Sequence, residues 1–596
     1  MLFACDRLCR YDTYLDSLMN MSLPRHRWLL ISILAFAVTP YFLRLGASSL
    51  WDSNEAFYAE TPREMIEAGD YINPTFNYRT RLNKPPLSYW IVVPFYKLFG
   101  VSETTERLPI VLAAMVMIAT AFGLGRLLFS VDAGLLAAIG LATSPRFLMF
   151  SRRIMIDVYL AMFMALALFL FAMAEKRPDR RRLCLGLMYV CIGFGIITKG
   201  PVAALLPALA LAIYFLISRQ LSELRRLMIP MGLVLVGLIV LPWYLAIYFH
   251  NGWGYIETFL VKDNLSRYVE PVWGPRRGIL FYIPVVIGDF FPWSLFLLPL
   301  CWKALLRLRR FTGGTAGEDS LDHQRWRNYA LLLIWMMVIV VFYSLSRSKE
   351  DLYVLPIYPA AAALVGSSLS RWYTNGHFYW QSVLRWIVLC LGVIMIVASA
   401  IIVFLFNTGA QPYTLAGTLL IACIGIAGGF TAATATLRRK ARLAIATTAV
   451  AIIACNWVFV LWTLPDIERY RPIRPLSEVI AAEAGPDALV GYFRAAYPSM
   501  VFYLRRPIFE YVALGEPVAA RILEEQEIKA AFSSGREVFC LMTASEYEKI
   551  RSMLPAETRV LASHPTFKVK LKGILDRGEL PQVLLISNKG EPYISP

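Results

Sequence analysis

The sequence predicts a polytopic α-helical membrane protein with a C-terminal soluble α/β domain, and three observations carry that reading. Hydrophobic residues make up 58% of the 596 positions and charged residues only 17%, against about 25% charged in soluble domains. Thirteen apolar stretches are long enough, or nearly so, to cross a hydrocarbon layer of roughly 30 Å as helices of about 20 residues. The third observation is that the cations fall in alternate loops. The mean hydropathy of +0.54 agrees.

The spans run approximately over 28–45, 108–129, 133–149, 156–174, 183–197, 200–217, 227–249, 279–301, 328–346, 352–369, 383–406, 413–436 and 442–463. Those beginning at 133, 183, 200 and 352 are short. A net charge of +17 is of the size seen in nucleic-acid-binding chains, but its distribution is that of the positive-inside rule. Arg25 and Arg27 precede the first span, Lys176 to Arg182 follow the fourth, and Arg219, Arg225 and Arg226 follow the sixth. Lys303, Arg307, Arg309, Arg310, Arg325 and Arg327 follow the eighth, and Arg438 to Arg442 the twelfth. The expectation is a cytoplasmic N-terminal segment over 1–27, a membrane domain over 28–464 and a periplasmic domain over 465–596. Met21 reads as a better start for such a protein than Met1.

Nine scattered cysteines imply no disulfide framework, and neither Cys-x-x-Cys nor His-x-x-x-His occurs among them and the five histidines. Past the linker Pro465 to Pro472, the runs 488–493, 538–542 and 583–586 read as strands and 476–484 and 516–531 as helices. No internal repeat is visible, which weakens a transporter built from inverted halves.

The first external loop, 46–107, is dense in polar residues at a membrane edge, where such groups are costly unless they do chemistry. Thr61, Pro62 and Glu64 predict a helix start with a capping box, and Gly69 its end, giving a short helix along the membrane surface. The piece from Leu87 to Phe99 carries aromatics suited to headgroup depth. External cations are unexplained by the topology rule. They include Arg63, Arg79, Arg81, Lys84, Arg152, Arg153, Lys199, Lys262, Arg267, Arg276, Arg277, Arg347 and Lys349. A shared anionic ligand such as a lipid phosphate accounts for them. The external carboxylates nearest a span are Asp52, Glu55, Glu60 and Asp157. Glu60 reads as structural because it directly precedes the helix cap, and Asp157 is equally able to cap its helix or pair with Arg153.

In their order these residues resemble the bacterial family of lipid A aminoarabinose transferases, membrane glycosyltransferases of the GT-C fold that use polyprenyl-phosphate sugars. The matching residues are Asn54, Glu55, Tyr58, Ala59, Glu60, Arg63, Glu64 and Met65, then Asn83, Lys84, Pro85 and Pro86. Asp157, Thr198-Lys199-Gly200, Asn264 to Tyr268, Leu345 to Lys349, Tyr353 and Leu355-Pro356 continue the match. Asn54 stands where the family has an Asp, which leaves Glu55 as the best carboxylate with Asp52 behind it. Asn83 and Asn264 replace a Glu and a His implicated in metal binding in that family; amides are poor zinc ligands, so no metal and no cofactor is expected. Phe57 replaces a loop Arg, and the sugar implied is one other than aminoarabinose.

The resemblance implies displacement at the sugar C1 of a polyprenyl-phosphate donor by an oxygen of a lipid A or other envelope acceptor, at the outer face of the inner membrane. Glu55 is the expected proton acceptor with Asp157 as a second carboxylate. Lys84, Arg267 and Lys349 are expected on the donor phosphate, with Tyr58 and Tyr353 as hydrogen-bond donors. Asp52, Arg63, Arg153 and Lys199 are secondary candidates. Partners are the lipid donor, a lipid or glycan acceptor and membrane lipids, with no nucleic acid and a monomeric chain. A protein O-mannosyltransferase, a lipid-sugar flippase and a membrane anchor with a cell-wall-binding module are the competing readings.

Overall fold

The computed structural model describes residues 24–52, 55–81, 83–266, 268, 277–302, 320–374, 378–408, 415–510, 525–566 and 580–589, without the side chains of a few of them. Helices account for nearly all of it up to Glu468. Among these residues, ten helices are long and apolar enough to cross a membrane and two further candidates are bent helix pairs. A shorter apolar helix, Val202–Ile217, stands at the sixth apolar stretch. A helix or bent pair therefore stands at each stretch that the sequence marks as apolar.

The first elements are α1 (Arg25–Phe42), α2 (Glu55–Ala68), α3 (Leu87–Phe99), α4 (Glu103–Leu128), α5 (Val131–Thr143), α6 (Pro145–Ser151), α7 (Ile156–Lys176), α8 (Arg181–Lys199) and α9 (Val202–Ile217). The pair α5 and α6 is bent by 68°, and the pair Ile279–Asp289 and Trp293–Trp302 by 111°. The two bends meet. Ser144 Oγ donates to the carbonyl of Asp289 at 2.7 Å, and Trp293 Nε1 donates to Thr143 Oγ1 at 2.8 Å. Backbone freed by a broken helix must find such partners where no water reaches. Small residues let the helices approach closely: a Cβ on Gly366 would lie 2.2 Å from the Ala133 carbonyl.

Helix α2 departs from expectation. It begins at Glu55, six residues before the predicted cap, and carries Thr61 and Pro62 inside it. Thr61 Oγ1 donates to the carbonyl of Thr75 at 2.7 Å instead of capping. The helix is largely packed inside the protein: Glu55, Ala56 and Ala59 through Met65 are buried. Gly69, at φ +69°, ends it as the sequence predicts. A two-residue hairpin, β1 (Thr75–Phe76) with β2 (Arg79–Thr80), follows.

The C-terminal region forms a five-stranded sheet in the order β4-β3-β5-β7-β6. Its strands are β3 (Leu489–Tyr492), β4 (Phe509–Glu510), β5 (Val538–Thr543), β6 (Arg559–Pro565) and β7 (Gln582–Ser587). β3 pairs in parallel with β4 and β5, whereas β7 is antiparallel to β5 and β6. Parallel β3 and β5 expose neither face, which is why both read as continuous apolar runs. Helix Ile473–Glu483 packs its apolar side on this sheet through Ile473, Leu476 and Ile480.

Candidate active site

Two polar clusters sit at the end of the helical bundle that carries the C-terminal domain. The first is built on Glu55, which is fully buried. Its carboxylate accepts from Trp51 N–H at 2.8 Å, Ile154 N–H at 2.9 Å, and Arg107 Nε and Nη2 at 3.2 and 2.8 Å. Burial alone would push this carboxyl up, but Arg107 and the two N–H donors outweigh it and hold it below the usual carboxylate range. Arg107 comes from the first turns of α4 and also donates to the carbonyls of Leu45 (2.6 Å), Ser48 (2.7 Å) and Ser49 (3.0 Å). The pair thus ties the loop, α4 and the approach to α7 together.

Beside it, Trp51 lies between two guanidinium groups, Arg153 at 3.3 Å and Arg471 at 4.7 Å from the ring centre. Burial, reinforced by nearby Arg471, Arg107 and Arg146, pushes Arg153 down to about 9. Asp52 accepts from Ser499 N–H at 3.0 Å and from the Ser499 hydroxyl. Burial nevertheless pushes its carboxyl up to about 6.

The second cluster gathers Asp157, Lys199, Tyr353, Lys349, Glu350 and Arg277. Asp157, in the first turn of α7, is ion-paired with Lys199 at the end of α8. Gly200, at φ +113°, lets the chain turn sharply into α9 and leaves Lys199 at the rim. The Lys199 ammonium stands 4.6 Å from the Tyr353 ring, which packs at 4.8 Å on Tyr343. Lys349 is buried and donates to the Ser346 carbonyl, and burial holds its amine below the usual lysine range. Arg277 donates to the Lys349 carbonyl and lies 3.6 Å from Glu350, whose carboxyl burial pushes up. Arg146, ion-paired with Asp289 (3.4 Å) and Asp351, stands between the two clusters.

The remaining candidates are dispersed. Tyr58 stacks on Tyr89 at 6.0 Å, and Arg81 lies over Phe57 at 4.0 Å. The Lys84 carbonyl accepts from the Tyr255 hydroxyl at 3.3 Å. Arg63 belongs to a separate network with Glu60 (2.5 Å), Glu67 (2.6 Å) and Tyr78 (3.0 Å). Next to it is Glu64, whose carboxyl burial pushes up to about 7. Arg267 and Asn54 lie outside the described residues, as does the side chain of Asn264. Tyr268, one residue after Arg267, accepts at its carbonyl from Arg347 N–H at 3.0 Å. Among the described residues, no three His, Cys, Asp or Glu side chains converge as a metal site.

A family model described as dolichyl-phosphate-mannose-protein mannosyltransferase matches residues 83–245. The undecaprenyl phosphate-alpha-4-amino-4-deoxy-L-arabinose arabinosyl transferase of Pectobacterium atrosepticum is 29% identical over 343 residues, 57% of this chain and 58% of that one. Transferase 1 of the same description from Pseudomonas fluorescens is 27% identical over 368 residues, 58% of each chain. These sequence matches thus span less than two thirds of the relatives' length. The crystal structure of ArnT from Cupriavidus metallidurans bound to undecaprenyl phosphate matches with a TM-score of 0.73 at 22% identity, covering 94% of this chain and 98% of that one. The chain therefore has the fold of that ArnT structure, a GT-C fold.

The sequence does not by itself single out three residues that the GT-C fold brings into these clusters: Arg107, Arg146 and Arg471. Two of them carried a signal. Arg107 is a cation in the first turns of a span on the side where cations are unexpected, and Arg146 interrupts an apolar stretch. Arg471 lies in the linker, and nothing local marks it.

Proposed function

We propose that this chain is a membrane glycosyltransferase that moves a sugar from a polyprenyl-phosphate donor to a lipid A or other envelope acceptor at the outer face of a bacterial inner membrane. The observation that carries this reading is the convergence of Asp157, Lys199, Lys349, Tyr353 and Arg277 from separate loops at one membrane edge. The ArnT structure of like fold binds undecaprenyl phosphate. The N-terminus is then cytoplasmic and the C-terminal domain periplasmic.

In this reaction an acceptor oxygen attacks the sugar C1, the bond from C1 to the phosphate oxygen breaks, and the lipid phosphate leaves with the electron pair. Asp157 takes the acceptor proton. Lys199, Lys349 and Arg277, with Lys84 and Arg267 from the flanking loops, offset the charge that grows on the departing phosphate, and Tyr58 and Tyr353 donate to it. Glu55, whose carboxylate is occupied by four donors, holds the loop, with Asp52 as its neighbour. Asp157→Asn and Lys349→Ala each abolish transfer in isolated membranes at unchanged protein level; full activity in either sinks that residue's role. The matched family description favours a peptide hydroxyl as the second acceptor class. Offering lipid and peptide acceptors side by side with one donor decides between them.

A further inference from the structure

Four consecutive residues of the first loop are each held by a different residue of the segment 468–503. Ser49 N–H donates to the Glu468 carboxylate at 2.7 Å and Leu50 N–H to the Tyr503 hydroxyl at 2.8 Å. Arg471 covers the Trp51 ring, and Ser499 donates twice to Asp52. The far part of the loop is gripped as well. The Asn77 amide pairs both ways with the Ile508 backbone, at 2.8 and 2.9 Å. Phe76 is buried in the apolar cluster of Ile473, Leu476, Met500 and Val501.

We propose that the C-terminal domain is a clamp that sets the reactive shape of the first loop, with Tyr503 and Ser499 as positioning residues; the proposal rests on the transfer reading above. The connection to the reacting groups is continuous. Trp51 N–H donates to Glu55, Glu55 accepts from Ile154 N–H, and α7 with Asp157 starts two residues later. A shift of residues 49–52 therefore moves the start of α7 and the Arg153 guanidinium stacked on Trp51. Loop order of this kind has to be supplied by contacts, because each fixed residue costs conformational entropy.

The test uses the full chain in lipid nanodiscs with Tyr503→Phe, Ser499→Ala and Ser499→Thr. Tyr503→Phe removes the acceptor of the Leu50 amide. Hydrogen exchange of the peptide covering residues 49–52 should quicken ~10-fold, the scale of one hydrogen bond. The kcat for transfer from a polyprenyl-phosphate sugar should fall ~10-fold while the donor KM stays within about twofold, because Lys199, Arg267, Arg277 and Lys349 lie on other loops and Lys84 is more than thirty residues from the clamped stretch. Ser499→Thr, which keeps the hydroxyl, should recover the loss seen in Ser499→Ala. Unchanged exchange in both Tyr503→Phe and Ser499→Ala overturns the clamp, and so does quicker exchange with transfer at the wild-type rate. Should Tyr503→Phe fail to accumulate, the Ser499 pair carries the same comparison. A wild-type chain that transfers no sugar takes down the function reading and the positioning role with it. A wild-type chain that transfers while both variants keep pace overturns the positioning role alone.

Discussion

Replacing Glu55 with Gln distinguishes a strut from a base. Its carboxylate is fully buried, and the facing Arg107 side chain is 2% exposed. Removing one charge of such a pair leaves the other buried without compensation, which costs roughly 3–5 kcal/mol. Arg107 keeps the Leu45, Ser48 and Ser49 carbonyls as acceptors, so the lower end, about 3 kcal/mol, is expected. That is about two orders of magnitude in the unfolding equilibrium. The assay is denaturation in mixed micelles, run beside sugar transfer on the same preparations. Glu55→Gln should lose stability and transfer together. The double variant Glu55→Gln/Arg107→Met, which removes both charges, should regain much of the stability and part of the transfer. A Glu55→Gln chain as stable as wild type but devoid of transfer would refute this account and return Glu55 to the role of proton acceptor.

Two further expectations follow from burial. Asp52 and Glu64 have carboxyls raised to about 6 and about 7. The folded chain therefore holds protons that the unfolded chain has already released, and this contribution is complete below about pH 4 and lost as pH rises through 6 and 7. The unfolding midpoint should fall across that window, and Glu64→Gln should flatten the decline; an unaltered slope in the variant contradicts the burial of Glu64. Phe76, 4% exposed in the apolar cluster of the C-terminal domain, should on truncation to Ala weaken docking by about 3–5 kcal/mol. Limited proteolysis within residues 465–472 reads this directly, and an unchanged cleavage rate argues against it.

The bundle was legible because a bilayer imposes length and polarity on every span, so apolar run length alone located the helices. The polar clusters were legible only in their members. Arg107 lies 52 residues from Glu55 and Lys199 lies 42 from Asp157, and no local pattern pairs residues at such distances. The start of α2 misled for a related reason: Thr61-Pro62 carries a local capping signal, while Glu55 is fixed in the helix by distant Arg107 and Ile154. Strands β1, β2 and β4 are two residues long, too short for any alternation to show.

The meeting of the two bent helix pairs bears on biogenesis. Ser144 and the Asp289 carbonyl are separated by 145 residues. During synthesis the first kink therefore enters the bilayer long before its partner exists, and four apolar stretches, from 156 to 249, are inserted in between. Neither kink can complete its hydrogen bonds until the eighth stretch arrives. The consequence is an ordered maturation in which a chain stalled or truncated before residue 289 keeps an unfinished third segment, the kind of polar defect on which membrane quality control acts.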